Sequence, residues 1–132
     1  MAEGKTILCV DDDDISRYLL KEFIHRIGDF HLVQLDSGQA CINYMSQHFT
    51  DLIILDFNLG DMTGEQVCSE IPVKSLNPLV PVIIASIIDT SDVKQRLAGC
   101  SNLLKIAQKP YSMNELRADI NQLFATDSAK SV

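Results

Sequence analysis

The chain has 132 residues, enough for one domain with a full hydrophobic core and too few for two comfortable ones. It is 46% hydrophobic, contains no Trp and carries a net charge of −7, the composition of a globular protein with an acidic surface. Direct nucleic-acid binding is not expected, because the 11 Lys and Arg residues form no basic run. Membrane insertion is not expected either, because the apolar stretches are only strand-sized and the N-terminus lacks a signal-peptide pattern.

The four cysteines (Cys9, Cys41, Cys68 and Cys100) show no CxxC or Cys/His spacing. This scatter is typical of reduced thiols in a cytoplasmic protein rather than of a zinc site or a disulfide framework.

Along the chain, apolar strand-like segments alternate with segments of helical periodicity. The predicted strands are 7–10, 30–35, 52–55, 82–85 and a weaker 103–107. The predicted helices are 14–27 with Asp14 as N-cap, one opening at 37–38, 64–71 ended by Pro72, 91–98, and one from Ser112 to about 124. We expect residues 1–125 to form the domain and 126–132 a polar tail that frays.

Five consecutive β–α units predict an α/β fold with a parallel sheet and helices on both faces. We expect the doubly wound, flavodoxin-like strand order 2-1-3-4-5, in which strands one and three flank the point where the winding reverses. Ligands of such sheets bind at the carboxyl ends of the strands there.

Acidic residues follow two of these strands. Asp11 and Asp12 end strand one, and Asp56 ends strand three, so all three carboxylates should converge on one crevice. A small divalent cation with oxygen ligands would relieve their repulsion, and Mg²⁺ fits better than Ca²⁺ because it needs only one or two carboxylates. The simpler alternative for Asp56 is that it only caps the helix beginning near Gly64.

Two further side chains reach the same edge of the predicted sheet. Ser86 follows strand four, and Lys109 follows strand five. With the acid cluster they predict a phosphoryl-transfer site, in which Asp56 is the nucleophile, Mg²⁺ and Lys109 neutralise charge, and Ser86 donates a hydrogen bond to a phosphoryl oxygen.

Together these motifs resemble the receiver domain of two-component response regulators, whether free-standing or part of a hybrid histidine kinase. The resemblance runs from about residue 5 to residue 124 and rests on five motifs in the family's order: Val10-Asp11-Asp12, Leu55-Asp56-Phe57-Asn58, Met62-Thr63-Gly64, the 81–86 segment and Lys109-Pro110-Tyr111.

The resemblance implies that Asp56 accepts a phosphoryl group from a phosphohistidine on a histidine kinase or histidine phosphotransfer protein. It implies that Asp12, Asp56 and the backbone carbonyl of Asn58 hold Mg²⁺ directly and Asp11 through water. It also implies a cytoplasmic monomer, or a weak phosphorylation-dependent dimer, that switches the surface of its fourth helix, fifth strand and fifth helix for a downstream protein target. Arg17 matches a basic position of the family's first helix, and it also fits an ordinary surface Arg.

Several positions depart from the family pattern. Gly60 and Thr63 replace Pro and Asp and are expected to loosen the loop after the phosphoacceptor. Ile87 replaces a small residue and is expected to shield the phosphoryl group, and Ile106 replaces a switch aromatic. We therefore expect a smaller or different conformational response on the output face.

Three other functions fit parts of the pattern. A haloacid-dehalogenase-type phosphohydrolase would use Asp11 as nucleophile and Asp13 as acid/base, but it needs a late pair of acids and a cap domain. A flavin binder would need a first loop able to cradle phosphate, whereas this loop is acidic. A receiver that docks a partner without phosphorylation is the main alternative, because Ile87 and Ile106 depart from the family's switch positions.

Overall fold

The computed structural model describes residues 4–87 and 90–130, with only the backbone described at 90 and 126–130. Five strands and five helices alternate along this part of the chain. The strands are β1 (Thr6–Val10), β2 (His31–Leu35), β3 (Leu52–Asp56), β4 (Val82–Ser86) and β5 (Leu103–Gln108); the helices are α1 (Asp14–Ile27), α2 (Gly38–Gln47), α3 (Gly64–Lys74), α4 (Thr90–Arg96) and α5 (Met113–Lys130).

All strand pairs are parallel, and the sheet order is β2-β1-β3-β4-β5. The predicted fold class is therefore confirmed. The apolar residues of β1, β3 and β4 are almost completely buried, as expected of parallel strands covered on both faces. The register between β4 and β5 shifts at Val82/Ile83.

Two apolar layers cover the sheet. Helices α2 and α3, with Val93 of α4 and Leu97 just after it, pack on one face, and α1 and α5 pack on the other. Each layer forms because a strand's side chains alternate between faces, so Ile53 and Leu55 point to the first layer and Leu52 and Ile54 to the second. No described helix has both the length and the apolar character needed to cross a membrane.

Helix α1 differs from its prediction in its cap and in its buried face. Asp13 rather than Asp14 is the N-cap, and its side chain accepts the Ser16 N–H at 2.8 Å. The apolar periodicity also includes Ile15, whose side chain is 71% exposed, because the face that contacts the sheet is centred on Leu20 and Ile24.

The predicted end of α3 at Pro72 is wrong, since the helix continues through Pro72 to Lys74. A proline in a helix removes its own N–H from the ladder and crowds the carbonyl four residues before it, but Pro72 is exposed near the end of α3 and the helix continues past it. The next turn is retained because the Ser75 N–H donates to the Ile71 carbonyl at 3.0 Å and Lys74 pairs with Glu70 at 3.2 Å.

The last helix also extends further than predicted. It is helical through Lys130, so the polar segment expected to fray from 126 is helical over 126–130, and 131–132 lie outside the described residues.

Candidate functional site

The carboxyl ends of four strands bring together the side chains that the sequence singled out. Asp11 follows β1, Asp56 and Ser86 are the last residues of β3 and β4, and Lys109 follows β5. The backbone fixes these positions, because the Phe57 N–H donates to the Ala85 carbonyl at 2.8 Å and the Lys109 N–H donates to the Ser86 carbonyl at 2.9 Å.

The three predicted acids form one cluster. One carboxylate oxygen from each of Asp11, Asp12 and Asp56 lies within 4.8 Å of the others, and no other group of three or more His, Cys, Asp or Glu side chains in the described chain converges this closely. Asp11 is fully buried, whereas Asp12 is exposed. Hard oxygen donors that converge at the rim of an open cleft suit Mg²⁺, which retains several water ligands.

Lys109 supplies the balancing positive charge. Its Nζ lies 2.7 Å from Oδ2 of Asp11 and 3.5 Å from Oδ2 of Asp56, and its side chain is only 11% exposed. Burial would lower the pKa of Lys109, but the hydrogen bond from its ammonium to Asp11 and the charge of Asp56 outweigh burial and raise that pKa. Lys109 is therefore firmly protonated beside both carboxylates.

The carboxyl of Asp56 is poised near neutrality. Burial raises its pKa to about 6; the nearby Asp11 carboxylate acts in the same direction, while Lys109 opposes the shift. A carboxylate that is partly desolvated and still ionised at pH 7 is a better nucleophile than a fully hydrated one.

A cleft of about 500 Å³ opens over this cluster. It is lined by Asp12, Asp56, Phe57, Asn58, Gly60, Ser86, Ile87 and Lys109. The structure therefore brings every predicted site residue to one edge of the sheet, with Asp11 buried beneath the cluster. Asp56 does not cap α3, because Thr63 is the N-cap and forms a capping box with Gln66.

The comparisons with known proteins agree with this geometry. Residues 7–121 match the family model described as the response regulator receiver domain. The chain belongs to this family.

The receiver is 32% identical over 115 residues to the Guillardia theta protein named "Probable transcriptional regulator ycf27", covering 86% of this chain and 43% of that protein. It spans between 15% and 43% of the length of the first curated relatives that it matches. Its other relatives include a response regulator, Rre1 of Synechocystis, and a histidine kinase, P4 of Formosa agariphila.

Solved receivers share the fold at low sequence identity. The receiver domain of sensor histidine kinase PA1611 from Pseudomonas aeruginosa, which has a magnesium ion coordinated in its active site cleft, superposes with a TM-score of 0.82 at 17% identity; the match covers 92% of this chain and 98% of that one. Chemotaxis response regulator CheY4 of Vibrio cholerae superposes with a TM-score of 0.80 at 18% identity, covering 91% and 98%.

Sequence reasoning missed the residue that anchors the loop between β3 and α3 of this receiver. The carboxylate of Asp61 accepts the Gly38 N–H at 2.9 Å and the Gln39 N–H at 3.0 Å. Although partial burial acts in the opposite direction, these bonds lower the pKa of Asp61. The two donors begin α2, where N–H groups lack acceptors within the helix. That these N–H groups require an acceptor was the one signal in the sequence that pointed to a residue such as Asp61.

Asp61, the Thr63 cap and an antiparallel bridge between Asn58 and Thr63 hold the loop in place. Gly60 adopts φ +86°, a conformation that glycine accommodates without strain. That Gly60 and Thr63 loosen this loop relative to sequences with Pro and Asp stays a prediction; in this structure Thr63 caps α3 and Gly60 allows the turn.

Arg17 supports the acidic loop. Its guanidinium donates to the Asp11 backbone carbonyl at 2.6 Å and pairs with Asp14, and its side chain is 20% exposed. Of the two interpretations of Arg17, the ordinary surface residue is therefore the weaker, since this side chain fixes the segment that carries Asp11 and Asp12.

Proposed function

We propose that this receiver accepts a phosphoryl group on Asp56 from a phosphohistidine of a histidine kinase or histidine phosphotransfer protein, in a Mg²⁺-dependent reaction. The observation that carries the proposal is the placement of Asp56 between Lys109, at 3.5 Å, and a cluster of two further carboxylates at the floor of an open cleft. The match to the receiver family and the histidine kinases among its relatives support the choice of donor.

In the proposed transfer, a carboxylate oxygen of Asp56 attacks phosphorus, and the bond between phosphorus and the imidazole nitrogen of the donor breaks. The electron pair of that bond leaves with the imidazole, so Asp56 becomes an acyl phosphate. Lys109 faces the attacked group and balances its negative charge, while Ser86 donates a hydrogen bond to a phosphoryl oxygen. Because Lys109 also pairs with Asp11, it is held in position before the phosphoryl group arrives.

The oxygens that would hold Mg²⁺ are the carboxylates of Asp12 and Asp56 and the backbone carbonyl of Asn58, with Asp11 acting through water. When bound, the ion neutralises charge on the phosphoryl oxygens and on the carboxylates themselves.

The apolar surface beside the cleft suits a helical partner. Ile15 and Leu19 on α1 are 71% and 42% exposed, and Ile87 is 78% exposed. A second cavity of about 550 Å³, lined by Leu19, Phe23, Ile87, Lys109, Pro110 and Tyr111 among others, adjoins the first, because Ile87 and Lys109 line both. A helix carrying the phosphohistidine would bury these side chains while presenting its imidazole to Asp56.

Residues 4–87 and 90–130 include no membrane-spanning helix, and all four cysteines are free thiols. We propose a cytoplasmic location, which the free thiols support. We further propose that phosphorylation changes the surface formed by α4, β5 and α5, which a downstream protein target then recognises. The domain is a regulatory phosphoacceptor, whose own chemistry is limited to self-phosphorylation from phosphodonors and slow dephosphorylation.

Intact-mass measurement after incubation with acetyl phosphate, with and without Mg²⁺, tests the chemistry. We expect the mass of one phosphoryl group to be added in a Mg²⁺-dependent, hydroxylamine-labile form, and to be absent in Asp56→Asn. If neither acetyl phosphate nor a phosphohistidine donor adds it while Mg²⁺ still binds, the phosphorylation proposal fails and docking without phosphorylation takes its place.

Transfer kinetics from a phosphohistidine protein test the docking surface. Ile15→Ala and Leu19→Ala should slow this transfer while leaving phosphorylation by acetyl phosphate unchanged. Leu79→Ala is the matched control, since Leu79 is 85% exposed in the loop between α3 and β4, at the opposite edge of the sheet. Equal effects of all three substitutions on the transfer rate would contradict the proposal that the partner docks on this surface.

A further inference from the structure

Two cysteines that do not line the phosphoacceptor cleft share a cleft of their own. Cys68 lies on α3, and Cys100 lies in the loop between α4 and β5. Both line a cleft of about 190 Å³ together with Glu65, Ser69, Arg96, Leu97 and Gly99. Arg96, the last residue of α4, forms an ion pair of 3.0 Å with Glu65 of α3, so the end of α4 lies beside α3 at this cleft.

The surroundings of the two thiols are unequal. Cys68 is 4% exposed and belongs to the apolar core, whereas Cys100 is partly exposed at the edge of that core. A reagent from solvent therefore reaches Cys100 first, and Cys68 lies behind it.

Hydrogen bonding strengthens this difference. Hydrogen bonding from the Cys68 thiol, with a smaller effect of the nearby backbone N–H groups of Asn102 and Leu103, lowers the pKa of Cys100 to about 7, against the opposing effect of burial. Its contact with Cys100, together with burial, raises the pKa of Cys68. By contrast, burial raises the pKa of Cys41 to about 12 and raises that of Cys9 as well. Cys100 is the one described cysteine whose surroundings favour the reactive thiolate near pH 7.

A metal does not account for this arrangement. Among 4–87 and 90–130, the acid cluster at the phosphoacceptor is the only group of three or more potential ligands whose atoms lie within 4.8 Å of one another. Cys41 lies near Cys68 but does not complete a third ligand position at that distance. Two thiols alone suit disulfide chemistry rather than a structural zinc site.

We propose that Cys68 and Cys100 form a peroxide-sensitive thiol pair, with Cys100 as the attacking sulfur and Cys68 as the resolving one. The Cys100 thiolate attacks one oxygen of a hydroperoxide and breaks the O–O bond, which gives a sulfenic acid and, from hydrogen peroxide, one molecule of water after protonation. The Cys68 sulfur then attacks the Cys100 sulfur, and the sulfenic oxygen leaves as a second water as the disulfide forms. Two thiols are oxidised, and one peroxide is reduced to two waters.

The disulfide would join α3 to the loop after α4, next to the ion pair between Glu65 of α3 and Arg96 at the end of α4. Oxidation therefore fixes the segment after α4 against α3, and α4 is one element of the proposed output surface. The chemistry itself does not depend on the proposed function of Asp56, so it should be identical in Asp56→Asn.

Hydrogen peroxide at pH 7 is the probe. We expect the full chain to lose two hydrogen masses. Digestion after Lys, Arg and Glu separates Cys68, in 66–70, from Cys100, in 97–105, and from Cys41, and the disulfide should connect the first two peptides. Cys100→Ser should abolish the bridge. Cys68→Ala should stop at a sulfenic acid on Cys100 that dimedone traps, and this acid should form more slowly than in the wild type because the Cys68 contact that lowers the pKa of Cys100 is lost. The rate in the wild type should rise with pH to a plateau, with its midpoint near 7.

Wild-type results decide the matter even if the Cys68 variant folds poorly. The proposal is overturned if Cys100 in the wild type is oxidised no faster than the other three thiols. It is also overturned if the bridge forms between molecules or uses Cys41, or if the rate midpoint lies at the pKa of an ordinary thiol.

Discussion

Lys109 and Asp11 are separated by 98 residues in sequence, and their side chains meet at 2.7 Å. The Asp11 carboxylate is fully buried, so it depends on Lys109 for neutralisation. Because Lys109 already pairs with Asp11, it offsets the negative charge of Asp56 only in part. Ionising Asp56 should therefore cost free energy of folding, and that free energy can be measured.

Neutralising Asp56 should stabilise the fold when divalent metal is absent. Because the pKa of Asp56 is raised to about 6, the native state prefers the protonated carboxyl, and stability present below pH 4 is lost as the pH rises through 6. Asp56→Asn in EDTA should therefore raise the free energy of unfolding at pH 7.5 by about 1–2 kcal/mol, after allowance for solvent screening, and change it little at pH 4.

Urea denaturation at both pH values checks this prediction. Mg²⁺ should stabilise the wild type and reduce the difference between the two proteins at pH 7.5. A variant that is less stable than the wild type at pH 7.5 in EDTA would show that Asp56 is not under electrostatic strain.

Tyr111→Phe should stabilise the protein. The Tyr111 hydroxyl is buried and has no hydrogen-bond partner within the described parts of the chain, and burial is the main reason why its pKa is raised. Removing a hydroxyl that is desolvated but unpaired should increase the free energy of unfolding by about 1 kcal/mol. Thermal unfolding measures the effect, with Tyr18→Phe as control because Tyr18 is 58% exposed. A loss of stability would mean that the hydroxyl is satisfied in solution.

Asp61→Ala should loosen the loop that carries Asn58. Two N–H groups at the start of α2 would lose their acceptor, which should cost about 1 kcal/mol of stability. Since Asn58 supplies a proposed Mg²⁺ ligand from the same loop, Mg²⁺ affinity should fall several-fold in a titration. Asp29→Ala, at an exposed acid before β2, should change neither quantity. Unchanged Mg²⁺ affinity in Asp61→Ala would show that the hydrogen bonds of Asp61 do not support the metal site.

Ile87→Ala should speed the loss of the phosphoryl group. Ile87 lines the cleft with Asp56 and Lys109, and we expect its branched side chain to restrict the approach of water to the acyl phosphate. We expect hydrolysis of the acyl phosphate to become several-fold faster, as measured by intact mass at intervals after removal of the phosphodonor. Ile15→Ala, which shortens an exposed side chain of α1, serves as the control and should leave the lifetime unchanged. A lifetime unaffected by Ile87→Ala would show that this side chain does not gate water.

Phosphorylation should change the α4–β5 face less than it does in receivers with an aromatic switch residue. Ile106 is partly buried against the core layer that contains α3 and Val93, and an aliphatic side chain cannot reproduce the rotation of a ring. Chemical shifts of 90–108, measured with and without phosphorylation, test this prediction. Concerted reorientation of Ser86 and a large neighbouring side chain would contradict it.

The strands and the acid cluster were predictable because their signals are local. Buried parallel strands appear in the sequence as apolar runs. An acid directly after such a run must lie at the edge of the sheet formed by the carboxyl ends of the strands. Helix ends were harder to predict. Asp13 and Asp14 offer the same side chain as N-cap of α1, so the sequence does not choose between them. A proline does not always end a helix, and α3 continues for two residues after Pro72.

Long-range polar pairs were not predictable from the sequence. Asp61 accepts hydrogen bonds from Gly38 and Gln39, more than 20 residues away, and no periodicity marks such a contact. The shared cleft of Cys68 and Cys100 likewise depends on how α3 packs beside the segment after α4, which the spacing of cysteines along the chain does not encode.

The start of α2 also contacts the phosphoacceptor loop sterically. A Cβ atom on Gly38 would lie 2.2 Å from Cγ and 2.6 Å from the sulfur of Met62, so no larger residue fits at position 38 while Met62 stays where it is. A side chain at position 38 therefore requires the Met62 side chain to move or to be replaced by a smaller one. Substitutions at positions 38 and 62 should therefore be coupled, and a smaller residue at 62 should make alanine at 38 easier to accommodate.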